Sequence, residues 1–418
     1  MKHKIYEKLV KSNTTLLWVL HKLSNNINPN LWPRLIGGCV RDCLLGTKPN
    51  DIDIATPLPP DKVMELLPEA KLIPIGINFG TIKVILNSEE FEITTLRKDV
   101  ACDGRHALVE FTDDFKVDAE RRDFTINALS YCPIRYELFD YFDGLKHLNE
   151  RKVLFIGDPE LRIKEDYLRI MRFFRFSTKY ANALDSSGYD QCVKYANKLS
   201  EMSAERIKAE FDKILLQNDT KYILNKMLSG GILQTIFPEL KFDIEMEEKS
   251  SQACFQLGLK STLSLKYASL LHKNATRNLS SILKKQKFSN SDTYSVAKLL
   301  EEIGEVSSID LLKEKLLERK YKNLSTKEYA ILAGCLHSIP IQAIQECINV
   351  IDSLTIKDLP ISGKEVVSLG LKGQEVGNVL QYLEKIWIES KFSLSRAELL
   401  EKASKLVVSR QNLSPDQE

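Results

Sequence analysis

Asp51 and Asp53, on either side of Ile52, are the residues of this chain with the most pointed chemistry. Residues 51–55 alternate polar and apolar side chains, which predicts a half-buried strand, and on a strand positions i and i+2 face the same side. Two carboxylates held side by side repel unless a cation lies between them. Magnesium takes oxygen ligands and bridges carboxylates to substrate phosphates, and a two-metal site both activates an attacking hydroxyl and steadies a leaving group. An isolated Asp-x-Asp is more often a solvated strand edge, so the residues around it have to decide.

About a dozen residues upstream runs LIGGCVRDCLLG. Gly37 and Gly38 let backbone approach a phosphate chain, the following helix start offers free N–H groups, and Arg41 adds a fork suited to phosphate oxygens. Residues 81–86 and 90–96 are β-rich runs around Asn87 and Ser88, which predicts a hairpin. Glu92 alternates with Phe91 and Ile93 on its second strand, as a third inward carboxylate or as an exposed Glu. In RRDFTINALSY, residues 122–129 read as a helix. Arg121, Arg122, Asp123 and Asn127 would form its polar stripe, with Asp123 and Asn127 at i,i+4. Two arginines beside a metal site suit triphosphate and ribose; an N-capped surface helix is the plain alternative. In EDYLRIMRFFRF, Glu165 and Asp166 stand four and three residues before Arg169. These are either ordinary helical ion pairs or, with Arg donors and Asp acceptors, a surface that hydrogen-bonds the edge of cytosine or adenine.

The elements that must position these residues fall into two textures. Up to about residue 143, helix and strand signals mix, and residues 98–107, with Gly104 and mixed charge, read as a mobile loop. After Gly157-Asp158-Pro159 nearly everything has helical periodicity, broken near Ser186-Ser187-Gly188, Ser229-Gly230-Gly231, Pro238 and Pro360. The expected fold class is therefore an α+β head followed by all-helical regions. A chain of 418 residues exceeds one ordinary core. A net charge of only +2 excludes a uniformly basic nucleic-acid binder, so any RNA surface must come from local clusters. Lys284, Lys285 and Lys287, and separately Lys320 and Lys322, are candidate phosphate contacts, against the plain reading of solvated charges. The eight cysteines form no Cys-x-x-Cys and read as buried or free thiols of a reducing compartment. The apolar run from Leu16 to Leu20 is too short for a signal peptide or a membrane span.

Together these pieces resemble the class II CCA-adding enzymes (tRNA nucleotidyltransferases), the group shared with bacterial poly(A) polymerases. The matching segments occur in order: GGCVRD with LLG, DIDIAT, FEITTLR, DVACDGRHALVEF, RRDFTINA, DGLKHLNERKVLFIGDP and EDYLRIMRFFRF. Weaker matches follow at SAERIKAEFDKILL, KKQKFSN and ISGKEVVSLGL. The resemblance implies a catalytic head with a five-stranded sheet over residues 1–143, a base-selecting neck over 144–210, a body over 211–325 and a tRNA-binding tail over 326–418. It implies that Asp51 and Asp53 bind two Mg²⁺ ions, with Glu92 as the third carboxylate. Gly37, Gly38, Arg41, Arg121, Arg122, Asp123 and Asn127 would then hold the incoming triphosphate and sugar. Asp166 and Arg169 would read the base of CTP or ATP in place of a template, Glu165 would orient the arginine, and Arg172 would support that helix or the triphosphate. The segment 98–110, with Asp99, Asp103 and Arg105, matches a lever that switches such enzymes from CTP to ATP, and its full length favours complete CCA addition. Phe79 departs from the family, where many members carry His.

The activity so implied is template-independent, metal-dependent addition of CCA to the acceptor arm of tRNA, in the cytoplasm, with no membrane and no obligate protein partner. Poly(A) polymerase, CC- or A-only addition, and a non-catalytic RNA-binding protein are the alternatives.

Overall fold

The computed structural model describes residues 5–25, 27–49, 51–102, 107–275 and 278–411, in two compact units, Met1–Pro238 and Glu239–Glu418. The first unit opens with α1 (Thr14–Ser24), capped by the Asn13 side chain, and β1 (Arg34–Ile36). Then come α2 (Gly38–Leu44), β2 (Asp53–Thr56), α3 (Pro60–Leu66), β3 (Lys71–Gly76), β4 (Thr81–Leu86) and β5 (Glu89–Thr95). The strands β6 (Arg97–Cys102) and β7 (Ala107–Phe111), α4 (Phe115–Glu120), β8 (Ser130–Cys132), β9 (Glu137–Phe139) and α5 (Gly144–Asn149) complete the α+β part.

Seven strands form one sheet in the order β3-β4-β5-β2-β1-β8-β9. Every pairing is antiparallel except β2 with β5, which run parallel with Asp53 opposite Glu92. The sheet has seven strands where the resemblance implied five; its edges are β3 and β9, which are only half covered. Ile36, Ala55, Leu96 and Phe115 pack as a buried cluster that seats α4 against the sheet.

Three expectations need correcting. Of the expected loop 98–107, the described residues 98–102 and 107 are strand: they belong to a separate two-stranded sheet of β6 and β7, with Asp99 opposite Val109. Gly104 and the mixed charges hide its strand alternation; Asp103 and Arg105 lie outside the described residues. Residues 122–129 do not form a helix. Phe124 is extended and bridges to Phe155, leaving a single 3₁₀ turn at Thr125–Asn127. Finally, Asp51 lies two residues before the start of β2 and is exposed, so β2 itself carries only Asp53 of the pair.

The rest of this unit is helical: α6 (Pro159–Glu165), α7 (Leu168–Tyr180), α8 (Ser186–Lys194), α9 (Ala204–Leu215), α10 (Lys221–Ser229) and α11 (Ile232–Ile236). The periodic run through Glu165 is two helices, because Asp166 is extended (φ −154°, ψ 108°) and caps the next helix by accepting from Leu168 N at 3.1 Å. Four phenylalanines fasten α7 to the sheet-bearing part. Phe155 stacks on Phe173 at 5.4 Å, and Phe124 contacts both Phe155 and Phe176.

The second unit holds α12 (Ile244–Gln256), α13 (Leu263–Leu271), α14 (Leu279–Lys285), α15 (Asn290–Leu300), α16 (Ile309–Tyr321), α17 (Lys327–Leu336), α18 (Ile341–Ser353), α19 (Gly363–Val367), α20 (Gln374–Glu389) and α21 (Arg396–Gln411). Its candidate RNA-contacting lysines differ in kind. Lys320 donates to the carbonyls of Ile351, Asp352 and Leu354, so it caps the end of α18 with all three of its donors and has none left for a phosphate. Lys322 pairs with Glu318, and Lys285 lies 3.4 Å from Glu239. No described helix is long and apolar enough to cross a membrane.

Candidate active site

The first glycine of the pair, Gly37, has φ +66°, a conformation that disfavours any side chain. A Cβ there would also lie 3.2 Å from Arg122 Nη1. Gly37 N–H donates to Leu129 O at 3.1 Å, which ties the start of α2 to the segment of Asp123 and Asn127. α2 then presents Arg41. Its Nε donates to Asp42 Oδ1 at 2.9 Å and its Nη1 to Asn127 Oδ1. Asn127 in turn donates to Asp123 Oδ1 at 3.0 Å, so the pair expected from helical spacing does meet, although no helix joins it. Arg172 closes the network, with Nε 2.7 Å and Nη2 2.6 Å from Asp123 Oδ2. Burial alone would raise the Asp123 carboxyl, but Arg172 and the bond from Asn127 hold it below the usual range.

Arg121 and Arg122 owe their placement to a residue that sequence reasoning missed. Asp118, on α4, accepts from Arg121 at 2.8 Å and from Arg122 at 3.0 Å, and also from Arg97 N at 3.3 Å. Its burial is opposed by the two guanidinium groups, which keep its carboxyl ionised to lower pH than usual. The signal is present in the sequence, since Asp118 stands three and four residues before the two arginines. On the helical side, Arg169 donates to Glu165 Oε2 at 2.5 Å, to Arg162 O and to Arg121 O, fixing it from both parts of the unit. Arg162 forks both oxygens of Glu165 at 3.0 Å, and Arg206 holds Asp166 at 2.9 Å. Sequence reasoning pointed to neither of these two arginines.

These groups face one cavity of about 400 Å³. Its lining contains Gly37, Gly38, Arg41, Asp53, Arg121, Arg122, Asp123, Asn127, Asp166, Arg169 and Arg172, together with Phe176, the last residue of EDYLRIMRFFRF. Asp51, Glu92 and Glu165 lie outside that lining. Asp53 sits at its edge with its carboxyl pushed up to about 6 by burial, by Glu92 across the parallel joint and by Asp51, against some relief from Arg122. No hydrogen bond or ion pair to a Lys or Arg is formed by Asp51, Asp53 or Glu92 among the described residues. Crowded carboxylates with no Lys or Arg paired directly to them suit a hard divalent ion. No three His, Cys, Asp or Glu side chains among the described residues form a metal-holding group by themselves, so the remaining ligands of such an ion would come from water and phosphate. The cysteines are not candidates. Cys39, beside Asp53 on α2, is buried with its thiol pushed up to about 12, and the described cysteines are all free.

The cavity thus joins a glycine turn, several arginines and a carboxylate to Asp166 and to the helix bearing Arg169, and comparison with known proteins gives the chain its family. Residues 33–154 match the Poly A polymerase head domain, and residues 185–244 match a probable RNA and SrmB-binding site of polymerase A. The chain is 34% identical to the mitochondrial CCA tRNA nucleotidyltransferase 1 of Danio rerio, over 88% of this chain and 86% of that protein. It belongs to the CCA-adding tRNA nucleotidyltransferase family. A CCA-adding enzyme of Lactococcus lactis is 30% identical over 89% of this chain and 93% of its own length. The fold agrees with that of the Bacillus stearothermophilus CCA-adding enzyme solved with CTP, at a TM-score of 0.80 and 22% identity, covering 98% of this chain and 99% of that one. The Thermotoga maritima CCA-adding enzyme solved with tRNA matches at a TM-score of 0.70 and 18% identity, covering 97% and 98%. As a member of this family the chain is a nucleotidyltransferase.

Proposed function

We propose that this chain adds C, C and A in turn to the 3′ end of tRNA, selecting CTP and then ATP with its own side chains instead of a template. The observation that carries the proposal is the single cavity in which Gly37, Arg41, Arg121, Arg122 and Asp53 lie with Asp166 and Arg169. The first group suits a triphosphate and its reacting phosphorus. The second offers acceptors and donors to a base edge, and neither side chain is consumed by the other, since Asp166 is braced by Arg206 and Arg169 by Glu165. Asp51 and Asp53 would hold divalent metal, two Mg²⁺ ions in this reading, which when bound supply the charge that favours an ionised primer hydroxyl and a departing pyrophosphate. Glu92 adds negative charge beside Asp53. Arg41, Arg121 and Arg122 neutralise the triphosphate, Asn127 and Asp123 orient them and the sugar, and Arg172 anchors that network to α7.

The β6–β7 arm carrying Asp99 is assigned the switch from CTP to ATP. We assign the head to residues 1–143, the neck to 144–210, the body to 211–325 and the tail to 326–418. Lys284, Lys285, Lys287 and Lys322 are kept as contacts to the tRNA backbone. Free thiols support a reducing compartment such as the cytoplasm, while the Danio rerio relative is named mitochondrial.

The test is incorporation into tRNA lacking CCA with Mg²⁺, resolved at single-nucleotide length. Two additions with CTP alone and a stop at three with CTP and ATP are expected. Long ATP-dependent ladders would instead establish a poly(A) polymerase, the activity in the name of the matching head model. Binding without incorporation would make the chain an RNA-binding protein.

A further inference from the structure

Arg41 is clamped from a direction that neither the motif nor the family resemblance accounts for. Tyr180 closes α7, four residues after Phe176, and is buried. Its hydroxyl donates to Asp42 Oδ1 at 2.8 Å, the same oxygen that accepts from Arg41 Nε at 2.9 Å. The Arg41 guanidinium lies 4.2 Å from the Tyr180 ring centroid and 5.3 Å from that of Phe176, and the two rings stack at 5.9 Å and 25°. With Nη1 on Asn127, three sides of the guanidinium are fixed. Nη2 lies on the side of the glycine turn, where a Cβ on Gly38 would sit 3.6 Å from it. A phenylalanine would fill the space under Arg41 as well as a tyrosine does, so the hydroxyl has a specific use in bridging to Asp42.

From this geometry we infer that Tyr180 is a positioning residue for nucleotide binding: it orients Arg41, through Asp42 and ring stacking, so that Nη2 points to the triphosphate. The inference rests on the reading of Arg41 as a phosphate ligand. It also assigns α7 a second task. The helix that carries the base-reading Arg169 at one end braces the phosphate-holding arginine from its other end. Because the effect passes through a phosphate contact, it is blind to the base.

The experiment compares Tyr180→Phe, Arg41→Ala and the double variant with wild type, using tRNA lacking CCA for the CTP step and tRNA ending in CC for the ATP step. Equilibrium binding of CTP and of cytidine is measured alongside. Loss of one hydrogen bond is expected to raise KM for CTP and ATP alike by ~2- to 10-fold in Tyr180→Phe, with a smaller change in kcat. CTP binding should weaken while cytidine binding does not. In the Arg41→Ala background the same substitution should have no further effect on KM. Asp42→Asn, which weakens the shared acceptor, should reproduce this pattern and serves if Tyr180→Phe folds poorly. If Arg41→Ala raises KM but Tyr180→Phe and Asp42→Asn leave it unchanged, or add to it fully, the inference is overturned and the function proposed above stands. If Arg41→Ala itself leaves KM unchanged, Arg41 is not the phosphate ligand and the inference falls with that assignment.

Discussion

Asp53 shows how function and stability oppose each other at a single residue. Its carboxyl is pushed up to about 6, against an ordinary value of 3.8, by burial and by Glu92. Between those pH values the folded protein holds this proton more tightly than the unfolded chain does. The stability contributed by the protonated form is therefore complete below about pH 4 and is lost as pH rises through about 6. Asp53→Asn removes the penalty at neutral pH. In EDTA at pH 7.5 the variant is expected to be more stable than wild type by roughly 1–3 kcal/mol, with the difference vanishing near pH 4, while nucleotide incorporation is lost. Urea unfolding at the two pH values decides it, and an unchanged midpoint at pH 7.5 would count against the crowding of carboxylates described here. At this scale the sequence is legible where chemistry dictates residue type, as with Asp53, Arg41 and Arg169. It is less so where a side chain acts through another: Asp118 and Arg162 stand at spacings that ordinary helical ion pairs share, and Arg206 reaches Asp166 from 40 residues away.

At the scale of elements, α4 is short but decisive, because it delivers Asp118 beneath Arg121 and Arg122. The guanidinium groups hold the Asp118 carboxyl below 3.8 in spite of its burial, so the stability it contributes is present above about pH 4 and is lost as pH falls below that. Replacing it leaves two cations without their partner. Asp118→Asn is expected to cost about 3 kcal/mol at pH 7, and the deficit should shrink on acidification below pH 4, as followed by urea titration at each pH. A deficit that is the same at every pH would mean that Asp118 acts through packing and not through charge. The elements are legible in the sequence where periodicity is uninterrupted, as in the β4–β5 hairpin and the helices after residue 159. They are misleading where long-range pairing wins over local pattern. Residues 122–129 look helical in isolation, yet Phe124 is drawn into a bridge with Phe155. The run through Glu165 looks continuous, yet Asp166 leaves the helix to cap the next one.

At the scale of the whole molecule, a net charge of +2 means that RNA affinity must be local. The lysines of the second unit divide into two classes. Lys320 satisfies the carbonyls at the end of α18, whereas Lys284, Lys285 and Lys287 lie at the end of α14 and just beyond it. Replacing those three together by alanine is expected to weaken tRNA binding and to lower the slope of log affinity against log salt by about one for each RNA phosphate that is no longer neutralised. Lys320→Ala should cost stability, roughly 1 kcal/mol, and leave that slope unchanged. Filter binding across a salt series checks both, and a slope that is unchanged in the triple variant would move the RNA surface elsewhere.

The lone parallel joint in the sheet also has a consequence in time. Antiparallel neighbours can zip together as the chain emerges, but β2 meets β5 only after β3 and β4 have been made and have turned the chain back. On the ribosome, Asp53 is synthesised well before Glu92, and β8, which lies on the other side of β1, comes later still. A nascent chain therefore carries Asp51 and Asp53 before either Glu92 or β8 has been made.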